Sequence, residues 1–127
     1  MTGLTHVRLL VDDFASMLSF YRDALGFKVV VDVAQTYIEL DTGAARVGLY
    51  ARSMMESVAG VSLRAAGGGD VVLQFAVADV DAAADLLRAR GVALVTAPHE
   101  QAAWRMRVFH VRDPLGHLLE MTTPLSR

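Results

Sequence analysis

Chemistry in this sequence has few places to come from. It contains no cysteine, which removes thiolate metal ligands, cysteine nucleophiles and disulfides together. It has no glycine-rich phosphate loop, no paired-histidine zinc-protease motif and no Gly-x-Ser-x-Gly elbow. What remains is imidazole, carboxylate, guanidinium and aromatic groups at alternating positions. His6, Arg8 and Leu10 share one face of a strand, as do Arg46, Gly48 and Tyr50, then Val72, Gln74 and Ala76, and finally Leu118, Glu120 and Thr122. An imidazole titrates near neutral pH, so His6 can move protons, and a carboxylate such as Glu120 can share that work. The two are the candidate catalytic groups. Arg8, Tyr50, Gln74 and Leu118 are candidate ligand-binding side chains, an apolar wall with a few convergent polar groups. Trp104, the only tryptophan, is expected at the start of a strand, where its indole can stack on a planar ligand or pack at an interface. Met54, Met55 and Met106 can add an adaptable lining. His99 falls on an expected loop, His117 alternates away from Glu120, and the facing of His110 is open. All three are expected to be exposed or structurally satisfied.

The elements that position these groups come in two copies. Val11-Asp12-Asp13-Phe14 aligns with Val77-Ala78-Asp79-Val80, Phe20-Tyr21-Arg22 with Leu86-Leu87-Arg88, and Gly26 with Gly91. In each copy a strand with period-two alternation leads into a helix: Asp13 caps a helix predicted over 14–25, and Asp79 caps the second, which runs to Gly91. Gly26 and Gly91 supply the left-handed residues that end them. Three strands follow each helix, at about 27–34, 36–41 and 45–52, then 92–97, 104–112 and 117–123. Asp41-Thr42-Gly43-Ala44 and Asp113-Pro114-Leu115-Gly116 make the last turn of each copy. Module one covers about residues 4–52 and module two about 71–124. The linker, 53–70, holds a short helical turn near Met54 and a flexible Gly67-Gly68-Gly69 hinge. The class is α+β, with two βαβββ units.

Composition narrows the partners. At 54% hydrophobic and with a net charge of −2, the chain folds and carries no basic face, so nucleic acid is not expected. The longest uncharged stretch, Gly91 to His99, is about half of the ~18 residues a membrane span needs, and no basic-then-apolar leader opens the sequence. No membrane association and a cytoplasmic location are expected.

Thr5-His6-Val7, Asp12-Asp13, Phe20-Tyr21-Arg22-Asp23-Ala24-Leu25-Gly26-Phe27, Val77-Ala78-Asp79-Val80-Asp81 and the closing Asp113-Pro114-Leu115-Gly116-His117-Leu118-Leu119-Glu120 resemble the recurring motifs of the vicinal oxygen chelate superfamily. That superfamily includes glyoxalase I, extradiol dioxygenases and bleomycin-resistance proteins. The resemblance implies that the modules form a cup-shaped open eight-stranded barrel, usually in a homodimer, and that metal-using members draw ligands from positions matching His6, Gly48, Val72 and Glu120. Gly48 and Val72 offer no side-chain donor, so no metal cofactor is expected. On this mapping, Val72→His with Gly48→Glu would add two ligands. Glu39 is expected as a solvated rim carboxylate, its alternative being a third ligand beside His6 and Glu120. Without a metal, Arg8 is expected to pair with Glu120. The leading expectation is a protein that holds an apolar or aromatic small molecule without metal. The alternatives are a divalent-metal-dependent lyase, isomerase or dioxygenase, and metal-free acid–base catalysis by His6 with Glu120.

Overall fold

Alternation in the opening strand sorts its side chains onto two faces: Leu9 and Val11 are buried while His6 and Arg8 stay exposed. The computed structural model describes residues 5–63 and 71–125. The chain divides into two units, Met1–Ala65 and Ala66–Arg127, each a βαβββ module with one four-stranded sheet.

In the first unit, β1 (His6–Val11), β2 (Lys28–Val33), β3 (Tyr37–Asp41) and β4 (Arg46–Ala51) form a sheet in the order β1-β4-β3-β2, with β1 parallel to β4 and the other pairs antiparallel. Leu9, Val11, Ile38, Leu40, Val47 and Leu49 make up its buried face, on the side of Phe14, Met17 and Tyr21 from the helix. Asp13 caps that helix by accepting from the Ser16 N–H at 3.3 Å, as its position predicts. The helix departs from expectation in its second half. It is α-helical over α1 (Phe14–Leu18) and π-helical over Ser19–Ala24, with the Leu25 N–H donating to the Phe20 carbonyl five residues back at 2.9 Å. The wider turn leaves Phe20 and Tyr21, adjacent in sequence, both buried, with their rings edge-to-face at 5.2 Å. Gly26 then takes φ +82° and ends the segment, as expected. After β4 the chain forms α2 (Arg52–Ala59), longer than the single turn expected. Arg52 holds it to β1 by hydrogen bonds to both Asp12 carboxylate oxygens at 3.2 Å and to the Leu10 carbonyl at 3.1 Å. The expected Gly67–Gly69 hinge lies outside the described residues.

The second unit repeats the plan with β5 (Val72–Ala76), α3 (Val80–Ala89), β6 (Leu94–Gln101), β7 (Met106–Arg112) and β8 (Leu118–Pro124), in sheet order β5-β8-β7-β6. Asp79 caps α3 through the Ala82 N–H at 3.1 Å. Val80, Ala84 and Leu87 are buried on α3, and Phe109, Val111, Leu119 and Met121 are buried on the sheet. Arg107 of β7 ties the helix down with two 2.8 Å hydrogen bonds to Asp81. β6 runs on past Pro98 to Gln101, so His99 lies in a strand and not in the expected loop. Proline is tolerated because β6 is the edge strand and its register breaks between Thr96 and His99. Trp104 is also displaced from expectation. It sits in a 3₁₀ turn, Ala102–Trp104, that precedes β7, and it is 74% exposed. Among the described residues no helix is long and apolar enough to cross a membrane.

Candidate functional site

The open face of the first sheet is built from three cross-strand rows. His6 lies beside Arg46 and Arg46 beside Asp41; Arg8 beside Gly48 and Gly48 beside Glu39; Leu10 beside Tyr50 and Tyr50 beside Tyr37. Gly48 is at the centre of this grid and leaves a gap in the middle of β4. Tyr37 lies across that gap: a Cβ placed on Gly48 would meet its Cε1 at 2.6 Å and its Oη at 2.7 Å. The gap also lets groups from different rows meet at one carboxylate. Glu39 Oε1 accepts from the Tyr37 hydroxyl at 2.6 Å and faces His6 Nε2 at 3.1 Å, and Oε2 accepts from Arg46 at 3.0 Å. On the other side of the ring, His6 Nδ1 lies 2.9 Å from the Thr5 hydroxyl.

Glu39 is therefore not the solvated rim group expected. Its side chain is 12% exposed. The Tyr37 hydroxyl bond, aided by the charges of His6 and Arg46, holds its carboxyl below the usual carboxylate range against an opposing push from burial. Burial, followed by the hydrogen bond to Glu39 and then its charge, raises the Tyr37 phenol above its usual value, while Arg8 works in the other direction. The Arg8 guanidinium carbon lies 5.3 Å from the centroids of both Tyr37 and Tyr50, whose rings meet edge-to-face at 5.5 Å and 73°. Within the first unit these rings are what Arg8 contacts.

The equivalent row of the second sheet runs Gln74, Glu120, His110 and Thr96 across all four strands. His110 Nε2 donates to Glu120 at 2.8 Å, and its Nδ1 meets the Thr96 hydroxyl at 2.7 Å. The His110 and Glu120 side chains are 14% and 26% exposed. This histidine, whose facing sequence leaves open, is the partner of Glu120. The hairpin could have revealed it, because pairing of Arg112 with Leu118 across the Asp113–Gly116 turn sets His110 opposite Glu120. Gln74 contacts the Met106 sulfur at 3.7 Å, and Leu118 begins β8 beside Val72. His117 is structural as expected, bonded at 2.7 Å to Asp113, whose side chain is fully buried.

The family's metal does not fit the residues at these positions. Gly48 has no donor and its space is filled by the Tyr37 ring, Val72 has none either, and His6 and Glu120 are each bonded within their own sheet. A His6 and Glu39 metal pair fares no better, since both Glu39 oxygens are already held by hydrogen bonds from Tyr37 and Arg46. A side chain at Gly48, as in Gly48→Glu, would first have to displace the Tyr37 ring.

A sequence profile for the Glyoxalase/Bleomycin resistance protein/Dioxygenase superfamily matches residues 3–121. The uncharacterized protein YraH of Bacillus subtilis is 35% identical over 122 residues, covering 93% of this chain and 95% of that protein. A crystal structure of a protein of unknown function from Agrobacterium tumefaciens is 32% identical, with a TM-score of 0.80 over 98% of this chain and 96% of that one. A glyoxalase/bleomycin resistance protein/dioxygenase from Nocardioides, at 21% identity, shares the fold with a TM-score of 0.85 over 99% of this chain and 85% of that one. The chain belongs to the glyoxalase/bleomycin resistance protein/dioxygenase superfamily.

Proposed function

We propose that this chain binds a small apolar or aromatic molecule without the help of a metal ion. The observation that carries the reading is the Tyr37 ring in the space above Gly48. Where a metal-using relative would need a ligand, this chain has an aromatic ring locked by a hydrogen bond to Glu39 and by an edge-to-face contact with Tyr50. Such a surface is preformed, offering ring area and fixed polar groups, which favours binding of a planar molecule. In the second unit Trp104, exposed at the entry to β7, is a separate ring available for stacking.

Elemental analysis of the protein, purified from metal-supplemented culture and dialysed against metal-free buffer, tests the reading. Well under one equivalent of zinc, nickel, cobalt, manganese or iron is expected. About one tightly held equivalent would overturn it in favour of a metalloenzyme.

A second reading rests on His110. Its ring is held in one tautomer between a carboxylate and a hydroxyl, the arrangement of a general base whose proton path leads through Thr96. Metal-free acid–base chemistry would thus use His110 with Glu120, and not His6 with Glu120.

A further inference from the structure

We infer that Arg8 is an anion-recognition residue, and that the molecule bound on the first sheet carries a carboxylate on a planar ring. The inference rests on the binding reading above and deepens it. Three features of the face lead to it.

The first is charge balance. The open face carries Lys28, Arg8 and Arg46 against Glu39 and Asp41, with His6 able to add a further positive charge. The second is that its carboxylates are already engaged. Glu39 uses both oxygens on Tyr37, His6 and Arg46, and Asp41 accepts from the Gly43 N–H at 2.8 Å. Among the described residues of the first unit no carboxylate lies within 4.0 Å of Arg8. The third is orientation. Arg8 lies over two tyrosine rings set nearly at right angles, and one of those rings is fixed by its own hydroxyl bond. An aromatic corner of this kind strips water from part of a guanidinium without neutralising it, and holds a planar fork whose geometry matches a carboxylate. The same tyrosine edges and faces are the surface against which an aromatic ring attached to that carboxylate would lie.

The probes are 1-naphthoate and 1-naphthamide, which share a ring system and differ in charge. Binding is followed by NMR through the Arg8 side-chain Nε–H signal, assigned by its loss in Arg8→Gln. Titration with 1-naphthoate to tens of millimolar should move that signal, and naphthoate should bind about tenfold more tightly than naphthamide, the scale of one charge-assisted contact. Arg8→Gln should abolish the preference, so that naphthoate and naphthamide bind equally. Arg8→Lys should restore only part of it, because a point charge replaces the fork. An Arg8 signal that does not respond to naphthoate, equal affinities in the unaltered protein, or a preference that survives in Arg8→Gln would each overturn the inference. These results are separate from metal content: a metal-free protein indifferent to naphthoate defeats the anion site alone, and a stoichiometric metal defeats the binding reading alone.

Discussion

Adding a single methyl group at Gly48 should drive the Tyr37 ring off the first sheet's polar face. The Cβ of Gly48→Ala would lie 2.6 Å from Tyr37 Cε1, 2.7 Å from its Oη and 3.0 Å from its Cζ, closer than carbon and oxygen can approach. The ring can swing away, but it then leaves three interactions behind. Its hydroxyl bond to Glu39 is charge-assisted, worth about 1.5–3 kcal/mol. The edge-to-face contact with Tyr50 contributes about 0.5–1.5 kcal/mol, and the Arg8 contact about 0.5–1 kcal/mol at an exposed site. Two effects oppose the loss. Water reaches the freed hydroxyl on an open face, and Glu39 keeps His6 and Arg46. Alanine also restricts the unfolded chain, returning about 0.4–1 kcal/mol, since Gly48 is not among the positive-φ glycines. The net expectation is a loss of about 1–3 kcal/mol, read by urea unfolding as a lower midpoint at unchanged slope.

The decisive measurement is a double-mutant cycle. With Tyr37→Ala already in place, Gly48→Ala should be neutral or slightly stabilising, because nothing then occupies the space. A Gly48→Ala protein as stable as the parent, or one whose loss is the same with Tyr37 absent, would refute the account. The steric objection to Gly48→Glu as an added metal ligand would fall with it.

Glu39, with its carboxyl held below the usual range, adds stability that is full above roughly pH 4–5 and is lost as pH falls through its lowered value. The melting-temperature gap between the parent and Glu39→Gln should therefore narrow on acidification below that range, and a gap that widens there contradicts the network. Homodimer formation is also expected, since β2 is an edge strand that leaves Val30, Val31 and Val33 exposed. Sedimentation at tens of micromolar, an order-of-magnitude range for a specific interface, checks it, and a monomer there counts against it.

Local signals in the sequence were enough for much of the fold. Asp13 and Asp79 act as caps and Gly26 as a terminator because capping is settled within a few residues. The π-helical turn was hidden because Phe14, Met17 and Tyr21 satisfy an α-helical period equally well, and only packing of Phe20 beside Tyr21 distinguishes the two. β6 was cut short because Pro98 reads as a stop, a rule relaxed on an edge strand. The site divided in the same way. Alternation put His6, Arg8 and Tyr50 on one face, but the choice of partners did not follow from it. Glu39 is covered by Tyr37, His6 and Arg46 because Gly48 leaves room for them to converge, and that depends on two strands at once.

Comparison of the equivalent rows separates the roles of the two modules. The first reads Arg8, Gly48, Glu39 and Val31, and the second Gln74, Glu120, His110 and Thr96. Both hold one carboxylate, and both satisfy it with a histidine from their own sheet. In the first row the acid lies one strand further from β1 than its counterpart lies from β5. The glycine left in the matching position admits a phenol ring, so the acid draws in Tyr37 and Arg46 as well as His6. Within its own unit Arg8 lies against aromatic rings and not against a carboxylate. In the second row the acid faces an imidazole directly, with a hydroxyl on the far nitrogen and an uncharged glutamine where the first row has arginine. On the readings proposed above, anion recognition falls to the first sheet and acid–base chemistry to the second.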